Sequence, residues 1–147
     1  MKVVLGADHG GVALKDAIGE HLRAQGHDVT DVGTHGTTSV DYPDIGRQVA
    51  IAVAEERFDR GVLVCGTGQG MAMTANKVSG VRAAVVADTF SAEMAMGHND
   101  ARILCLGQRV LGSGLALRLV DVWMAAAFEG GRHSRRVGKM EPGSEET

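Results

Sequence analysis

The chain has 147 residues, of which 44% are hydrophobic, 22% are charged and only 3% are aromatic. These proportions are typical of one ordinary globular domain whose core is built from aliphatic side chains. The formal net charge of −3 gives no general attraction to nucleic acid or to an anionic membrane surface. We therefore expect neither of these as a partner.

Apolar runs without polar alternation recur along the chain and predict five strands buried on both faces. These runs lie at residues 3–7, 29–32, 61–65, 81–87 and 103–106. Apolar residues at helical spacing predict intervening and final helices at about residues 14–22, 42–53, 71–77, 91–96 and 113–128. Alternating strands and helices predict a parallel sheet, and right-handed crossovers make the fold a Rossmann-like three-layer α/β/α sandwich.

The pattern indicates one domain over residues 1–140, followed by a polar and frayed tail at 141–147. The sequence does not open with a cationic and apolar leader, and its longest apolar stretch, at 115–128, is too short to cross a bilayer. Cys65 and Cys105 are then expected to be reduced thiols. Together these features predict a cytoplasmic enzyme or binding domain.

The last long helix carries apolar residues all around its circumference rather than along one stripe. A helix that packs on one face of a sheet buries only one of its sides. The other side predicts a subunit interface, so we expect a homodimer or a multiple of one. The alternative is a terminal helix that is packed deeply within its own chain.

Polar clusters follow several of the predicted strands, where ligands bind in parallel α/β sheets. They are the segment from Asp8 to Gly11, the loop from Cys65 to Gly70, and Asp88. His98 ends the following helix and is expected near them, where it would converge with His9. A histidine beside a carboxylate can shuttle protons near neutral pH.

The loop that begins at Cys65 joins a thiol to several glycines. Backbone N–H groups at the start of a helix bind anions and lower the pKa of a thiol, which makes the thiolate available. The same N–H groups would suit a developing enediolate oxygen. The alternative is an inert, buried cysteine. Cys105, which has apolar neighbours, is interpreted as structural.

The only dense basic cluster lies near the C-terminus. Arg132 and Arg136 are four residues apart and would share a helix face, where two guanidinium groups can bind a phosphate. The alternative is a solvated basic tail. A metal site built from Asp8, His9, His98 and Asp100 lacks a typical ligand spacing, so no metal is expected.

Taken together, the motifs resemble those of ribose-5-phosphate isomerase B and the related galactose- and allose-6-phosphate isomerases. The similarity covers residues 1 to about 140, and the motifs occur in the family's order. They are Val4–Gly11, Asp41–Asp44, Cys65–Gly70, Ala75–Lys77, His98–Asp100 and Gly130–His133. The resemblance implies a Rossmann-like fold, no metal or organic cofactor, and an active site shared between the subunits of a homodimer or dimer of dimers.

The resemblance also implies catalytic roles. Cys65 would be the base that moves a proton between C2 and C1 through an enediolate, and Thr67 would stabilise that intermediate with the loop backbone. His98 would open the furanose ring. One subgroup of the family uses a glutamate just after the loop as its base, but Met71 occupies that position here, so Cys65 is the only candidate.

Further residues are implied to bind the substrate. Asp8, counted with the catalytic residues, and Tyr42 would contact sugar hydroxyl groups, and Asn99 would contact an enediol oxygen. His9, Arg132 and Arg136 would hold the phosphate together with Arg109, and the loop backbone at Gly66, Gly68 and Gly70 would stabilise the intermediate.

The implied reaction interconverts D-ribose 5-phosphate and D-ribulose 5-phosphate in the pentose phosphate pathway. Other aldose phosphates of four or six carbons, including allose 6-phosphate and galactose 6-phosphate, are alternative substrates. A non-catalytic nucleotide- or phosphate-binding module is a second class, although the glycine loop matches neither the dinucleotide fingerprint nor a Walker A motif. A thiol redox protein is a third, but the chain has no C-x-x-C pair.

Overall fold

A computed structural model describes residues 1–144. The strands are β1 (Lys2–Ala7), β2 (Asp28–Asp31), β3 (Arg60–Cys65), β4 (Ala83–Val85) and β5 (Ile103–Gly107). The helices are α1 (Val12–Ala24), α2 (Tyr42–Ala54), α3 (Gln69–Ala75), α4 (Thr89–Gly97), α5 (Ser113–Ala125) and α6 (Arg132–Met140).

The strands form one parallel sheet in the order β2-β1-β3-β5-β4. Side chains of α1, α4 and α5 build the core on one face of the sheet, and side chains of α2 and α3 build it on the other. The predicted three-layer α/β/α sandwich is therefore confirmed. The strand order reverses beside β1, and the carboxyl ends of β1 and β3 border the crevice that this reversal creates.

The central strands match their predicted positions closely because they are buried on both faces, as their apolar runs indicate. The prediction of 81–87 for the fourth strand is wrong at both ends, since β4 has only three residues. This strand lies at the edge of the sheet and pairs with β5 alone, from Ala83 to Val85.

Two helix ends have clear physical causes, one local and one distant in sequence. Gly26 follows α1 with a φ of +88°, the left-handed conformation expected of a glycine after a helix. The helix predicted to reach residue 128 ends at Ala125 instead. The buried guanidinium group of Arg60 donates hydrogen bonds to the carbonyl oxygens of Trp123 and Ala126, which satisfies the exposed end of α5.

The all-round apolar pattern of α5 is largely accounted for within the chain. Leu119 and Trp123 are fully buried, while Leu117 and Val122 are partly buried and pack against the same core. Leu115 is the exception, with 43% of its surface exposed. The packing of α1 and α4 on either side of α5 therefore removes most of the support for a subunit interface on this helix.

The first residue of the predicted polar tail is held in place. The Glu141 carboxylate accepts hydrogen bonds from the Arg82 guanidinium group and from the backbone N–H of Gly80. Residues 145–147 of that tail lie outside the described residues. Among residues 1–144, no helix combines the length and the hydropathy needed to cross a bilayer.

Candidate active site

Cys65 is the last residue of β3 and lies at the carboxyl edge of the sheet, as predicted. Its Sγ atom accepts a hydrogen bond of 3.1 Å from the backbone N–H of Gly68, and only 5% of the residue is exposed. A backbone N–H in this position can stabilise negative charge on a neighbouring atom. The arrangement therefore places a donor of the glycine loop directly on the proposed base.

Glycines are required at two positions of the loop. Gly68 has a φ of +83°, and a Cβ atom there would lie 3.1 Å from the backbone carbon of Leu106. A Cβ atom on Gly70 would lie 2.5 Å from the ring of Tyr42, which packs directly against this glycine. The loop thus fits closely between the end of β5 and Tyr42, the first residue of α2. Tyr42 therefore lies at the same edge of the sheet as the loop.

The segment after β1 lies against the Cys65 loop. The Asp8 carboxylate accepts a hydrogen bond of 2.9 Å from the backbone N–H of Gly10, and His9 Nδ1 accepts one of 3.2 Å from Val40. A Cβ atom on Gly10 would lie 3.5 Å from the backbone nitrogen of Gly66. Asp8 and His9 are therefore held beside the loop by contacts that fix the backbone around them.

Arg109 supplies a positive charge to this edge. Its backbone N–H donates a hydrogen bond of 3.0 Å to the carbonyl oxygen of Gly66, and its guanidinium group lies over the same glycine. The residue is exposed. We call the set formed by Asp8, His9, Tyr42, the Cys65–Gly70 loop and Arg109 the carboxyl-edge group.

The two cysteines differ in their surroundings. Both are free thiols, but Cys105 is completely enclosed in the core. Burial, with a smaller contribution from Cys65, strongly raises the pKa of the Cys105 thiol. A thiol that stays protonated cannot act as a base, so the structural interpretation of Cys105 is supported.

His98 lies at the opposite edge of the sheet from Cys65. His98 follows α4, which runs antiparallel to the strands and therefore ends near their amino ends. Four residues later, the carbonyl oxygen of Arg102 accepts a hydrogen bond from the backbone N–H of Gly61, at the start of β3. His98 Nε2 is 3.1 Å from the Glu129 carboxylate, and its ring stacks on that of His133 with the centroids 4.1 Å apart.

The remaining residues of the predicted site lie on this same amino edge. Asn99 follows His98, and Arg132 and Arg136 are exposed on α6, which begins one turn after Glu129. Within residues 1–144, neither arginine has an ion-pair partner. We call the set formed by His98, Asn99, Arg132 and Arg136 the amino-edge group.

The expected convergence of His9 and His98 is therefore wrong for a single chain. Since a parallel strand rises about 3.3 Å per residue, the five residues of β5 put roughly 16 Å between the two edges. Groups that act on neighbouring atoms of one sugar have to approach within about 3–3.5 Å of it. Cys65 and His98 of the same chain cannot both do so.

The four residues considered as metal ligands are also dispersed. Asp8 and His9 lie at the carboxyl edge, and the Asp100 carboxylate is paired with Arg82 at 3.1 Å. A different set comes together instead, because the ligand-type atoms of His98, Glu129 and His133 lie within 4.8 Å of one another. The sequence pattern does not predict that Glu129 and His133 meet, because Gly130 and Gly131, with φ values of +68° and +57°, separate Glu129 from the start of α6.

Asp88, the third polar position noted after a strand, has a structural role. Its carboxylate accepts a hydrogen bond of 2.7 Å from the backbone N–H of Ser91 and caps α4. Hydrogen bonds from the backbone N–H and the side chain of Ser91 lower the pKa of the Asp88 carboxyl group.

Comparisons with known proteins agree with this architecture. A family model for ribose/galactose isomerases matches residues 3–140. Over 136 residues the chain is 46% identical to ribose-5-phosphate isomerase B of Escherichia coli, an alignment that covers 92% of this chain and 91% of that protein.

Two solved structures are similar to the chain in both sequence and fold. Ribose-5-phosphate isomerase B of Clostridium thermocellum superimposes with a TM-score of 0.94 at 54% identity, with 95% of each chain covered. Ribose-5-phosphate isomerase B of Mycoplasma genitalium, solved with ribulose-5-phosphate bound, gives a TM-score of 0.93 at 40% identity, with 99% of this chain and 97% of that chain covered. The chain therefore belongs to the ribose/galactose isomerase family.

Proposed function

We propose that the protein interconverts D-ribose 5-phosphate and D-ribulose 5-phosphate, with Cys65 as the base. The observation that carries the proposal is the position of Cys65 Sγ, which ends a buried strand and contacts the N–H of Gly68 at 3.1 Å. Relatives and structural neighbours named ribose-5-phosphate isomerase B support the choice of substrate.

The chemistry follows from the loop. The Cys65 thiolate removes the C2 proton of the open-chain aldose, and the electron pair moves toward O1 to give an enediolate. Backbone N–H groups of the loop and the Thr67 hydroxyl stabilise that charge. The Thr67 oxygen accepts a hydrogen bond of 3.3 Å from the N–H of Gln69, which leaves its own hydrogen available to donate. The O2 proton then passes to O1, and the Cys65 thiol returns its proton to C1 as the O2 electron pair forms the C2=O2 double bond, which completes the ketose and restores the thiolate.

The two separated groups require a second copy of the chain. We propose that the carboxyl-edge group of one copy faces the amino-edge group of another in a homodimer or dimer of dimers. Arg132 and Arg136 of α6 support this arrangement, because both are exposed and neither has an ion-pair partner among residues 1–144, so they are available to bind the phosphate of a substrate held by the other copy. In it, His98 opens the furanose ring and Asn99 contacts an enediol oxygen.

Within the carboxyl-edge group, Asp8 and Tyr42 are proposed to contact sugar hydroxyl groups. His9 and Arg109 are proposed to bind the phosphate together with the arginines of the second copy. The enclosed position of Asp8 beside the Gly10 N–H supports its role, since the same carboxylate retains an oxygen that can accept from a hydroxyl group.

Replacing Arg132 with alanine should raise KM for ribose 5-phosphate by about 10- to 100-fold, because a hydrogen bond to a charged group contributes about 1.5–3 kcal/mol. The change in kcat should be small, since phosphate binding acts equally on substrate and transition state. Steady-state kinetics measure both constants. Arg135→Ala, which removes a neighbouring exposed charge, is the matched control, and a fall in kcat alone for Arg132→Ala would contradict the assignment.

An assay with ribose 5-phosphate before and after EDTA treatment tests the proposed activity itself. We expect turnover that EDTA leaves unchanged, because the mechanism uses only side chains and backbone groups. A chain that binds ribose 5-phosphate without converting it would be a phosphate-binding module instead. A loss of activity that added metal restores would contradict the metal-free mechanism.

The preferred sugar is proposed to be the five-carbon phosphate. The kcat/KM values for ribose 5-phosphate, allose 6-phosphate and D-erythrose 4-phosphate, measured side by side, test that preference. A cytoplasmic location is also proposed, and the presence of two free thiols supports it, since reducing compartments keep such thiols unpaired.

A further inference from the structure

Arg82 lies at the amino edge of the sheet, immediately before β4, and the proposed function does not use it. Only 15% of its side chain is exposed. Its Nε atom donates a hydrogen bond of 2.7 Å to the carbonyl oxygen of Asn99. Its Nη2 atom donates to the carbonyl oxygen of Asp100 at 3.3 Å and to the Asp100 carboxylate at 3.1 Å. These three hydrogen bonds go to the two residues that follow His98.

The same hydrogen bonds hold a turn with an unusual backbone conformation. Asp100 has a φ of +46°, in the left-handed region that residues other than glycine seldom adopt. The Arg82 guanidinium group binds the carbonyl oxygens of the peptide groups on both sides of Asp100. Asn99 belongs to one of these two peptide groups, so its position at the amino edge depends on the arginine.

The remaining nitrogen of the guanidinium group reaches the end of α6. Nη1 donates a hydrogen bond to the carboxylate of Glu141, the residue that follows this helix. Of the nine described residues of α6, only two are buried, so apolar packing does little to fix the direction of the helix. The stacking of His133 on His98 holds its first turn. The pair formed by Glu141 and Arg82 holds its other end.

The backbone that carries the guanidinium group is itself fixed. The carbonyl oxygen of Arg82 accepts a hydrogen bond of 3.3 Å from the N–H of Ile103 in β5. The side-chain amide of Asn76 donates to the carbonyl oxygen of Ala83 and accepts from its N–H, both at 2.8 Å. Asn76 lies in the Ala75–Lys77 motif, which has no part in the proposed mechanism. The arginine thus extends from a backbone that β5 and the end of α3 hold in place.

We propose that Arg82 is a positioning residue for the amino-edge group, because its guanidinium group joins the two segments that supply this group. One segment carries His98 and Asn99, and the other is α6, with Arg132 and Arg136. The inference rests on the proposed function, in which these residues open the sugar ring, contact the enediol oxygen and bind the phosphate. Each guanidinium nitrogen of Arg82 already donates to a protein oxygen, so the arginine acts through these residues and not on the substrate.

The two branches of the guanidinium group can be tested separately by steady-state kinetics with ribose 5-phosphate on the full-length enzyme. Glu141→Ala releases only the end of α6. We expect KM to rise by about 3- to 10-fold and kcat to change less than about twofold, because phosphate binding acts equally on substrate and transition state. Arg82→Lys keeps a cation for Glu141 but loses the planar fork that binds both carbonyl oxygens. We expect it to lower kcat by roughly 10-fold, because the Asn99 turn is misplaced.

Arg82→Ala removes both branches at once. It should lower kcat by roughly 10- to 100-fold and also raise KM, since a misplacement of about 1 Å can cost about 100-fold in rate. Arg57→Ala is the matched control, because it removes an exposed arginine that pairs with Glu55 at 3.0 Å, and it should change neither constant. All variants are assayed below their unfolding temperatures, which circular dichroism measures. Unchanged constants in Arg82→Ala, or a fall in kcat alone in Glu141→Ala, would overturn the inference.

Mixed dimers, each built from two different variant chains, show whether the loss is confined to the amino edge, as positioning requires. In a dimer of Arg82→Ala with Cys65→Ala, one site combines the unaltered Cys65 of the first chain with the unaltered amino edge of the second. This dimer should recover about half of the unaltered activity. A dimer of Arg82→Ala with His98→Asn has no unaltered amino edge, and it should be no more active than Arg82→Ala alone.

The dimer of Cys65→Ala with His98→Asn is the reference for shared sites. If this reference recovers activity but Arg82→Ala with Cys65→Ala does not, Arg82 only stabilises its own chain and the inference is wrong. Recovery of Arg82→Ala with His98→Asn would contradict it too, because the effect would then lie at the carboxyl edge. If the reference recovers nothing, the shared site has failed, and the kinetic constants of the single variants decide the role of Arg82. If the unaltered enzyme does not isomerise ribose 5-phosphate, the proposed function has failed and this inference fails with it.

Discussion

Cys65→Ala is expected to lower kcat for ribose 5-phosphate isomerisation by about 10²–10⁴-fold, the usual contribution of a general base. The side chain ends β3 and receives the Gly68 N–H at 3.1 Å, and Met71 beside it is an apolar core residue that offers no replacement base. Binding of the sugar phosphate should persist, because other residues of the two groups contact the hydroxyl groups and the phosphate. Turnover and equilibrium binding measure the two effects separately.

Cys105→Ala is the matched control for the loss of a thiol. This residue is fully buried in the neighbouring strand, and burial keeps its thiol protonated. The substitution should lower the free energy of unfolding by about 1 kcal/mol, as a small core truncation does, and leave kcat nearly unchanged. Near-normal turnover in Cys65→Ala, or equal losses of kcat in both variants, would contradict the role of Cys65.

The fold could be predicted because its signals are local. The buried strands β1, β3 and β5 are apolar runs, and Gly26 marks the end of α1 through a conformation that glycine adopts easily. The ends of β4 and α5 could not be predicted in the same way. They depend on the pairing of an edge strand and on the distant guanidinium group of Arg60.

The carboxyl-edge group could also be predicted, since parallel strands bring the loops that follow them to one edge. Cys65 and Asp8 lie there for that reason. His98 was misplaced because the same rule was extended to the end of a helix, which returns the chain to the opposite edge. The position of Glu129 could not be predicted, because its contact with His98 joins residues that are 31 positions apart in the sequence.

Because the carboxyl-edge and amino-edge groups of one chain lie at opposite edges of the sheet, we expect two inactive variants to restore each other's activity in a mixed dimer. Combine a Cys65→Ala chain with a His98→Asn chain, each of which should be nearly inactive alone. In a mixed dimer with shared sites, one site contains both substitutions. The other contains the unaltered Cys65 of one chain and the unaltered His98 of the other, so it is complete.

The mixed dimer should therefore recover about half of the activity of the unaltered dimer, and a random one-to-one mixture should recover about a quarter. A site contained within one chain cannot give this result, because every copy lacks one of the two residues. Co-expression with two different affinity tags, followed by sequential purification, isolates the mixed dimer. A pair of Cys65→Ala chains and a pair of His98→Asn chains, prepared in the same way, give the baseline.

The activity of this mixed dimer with ribose 5-phosphate tests most directly whether one active site is built from the carboxyl edge of one chain and the amino edge of another. The account predicts recovery to about half of the unaltered activity, far above either parent variant. A mixed dimer no more active than its parents would contradict it.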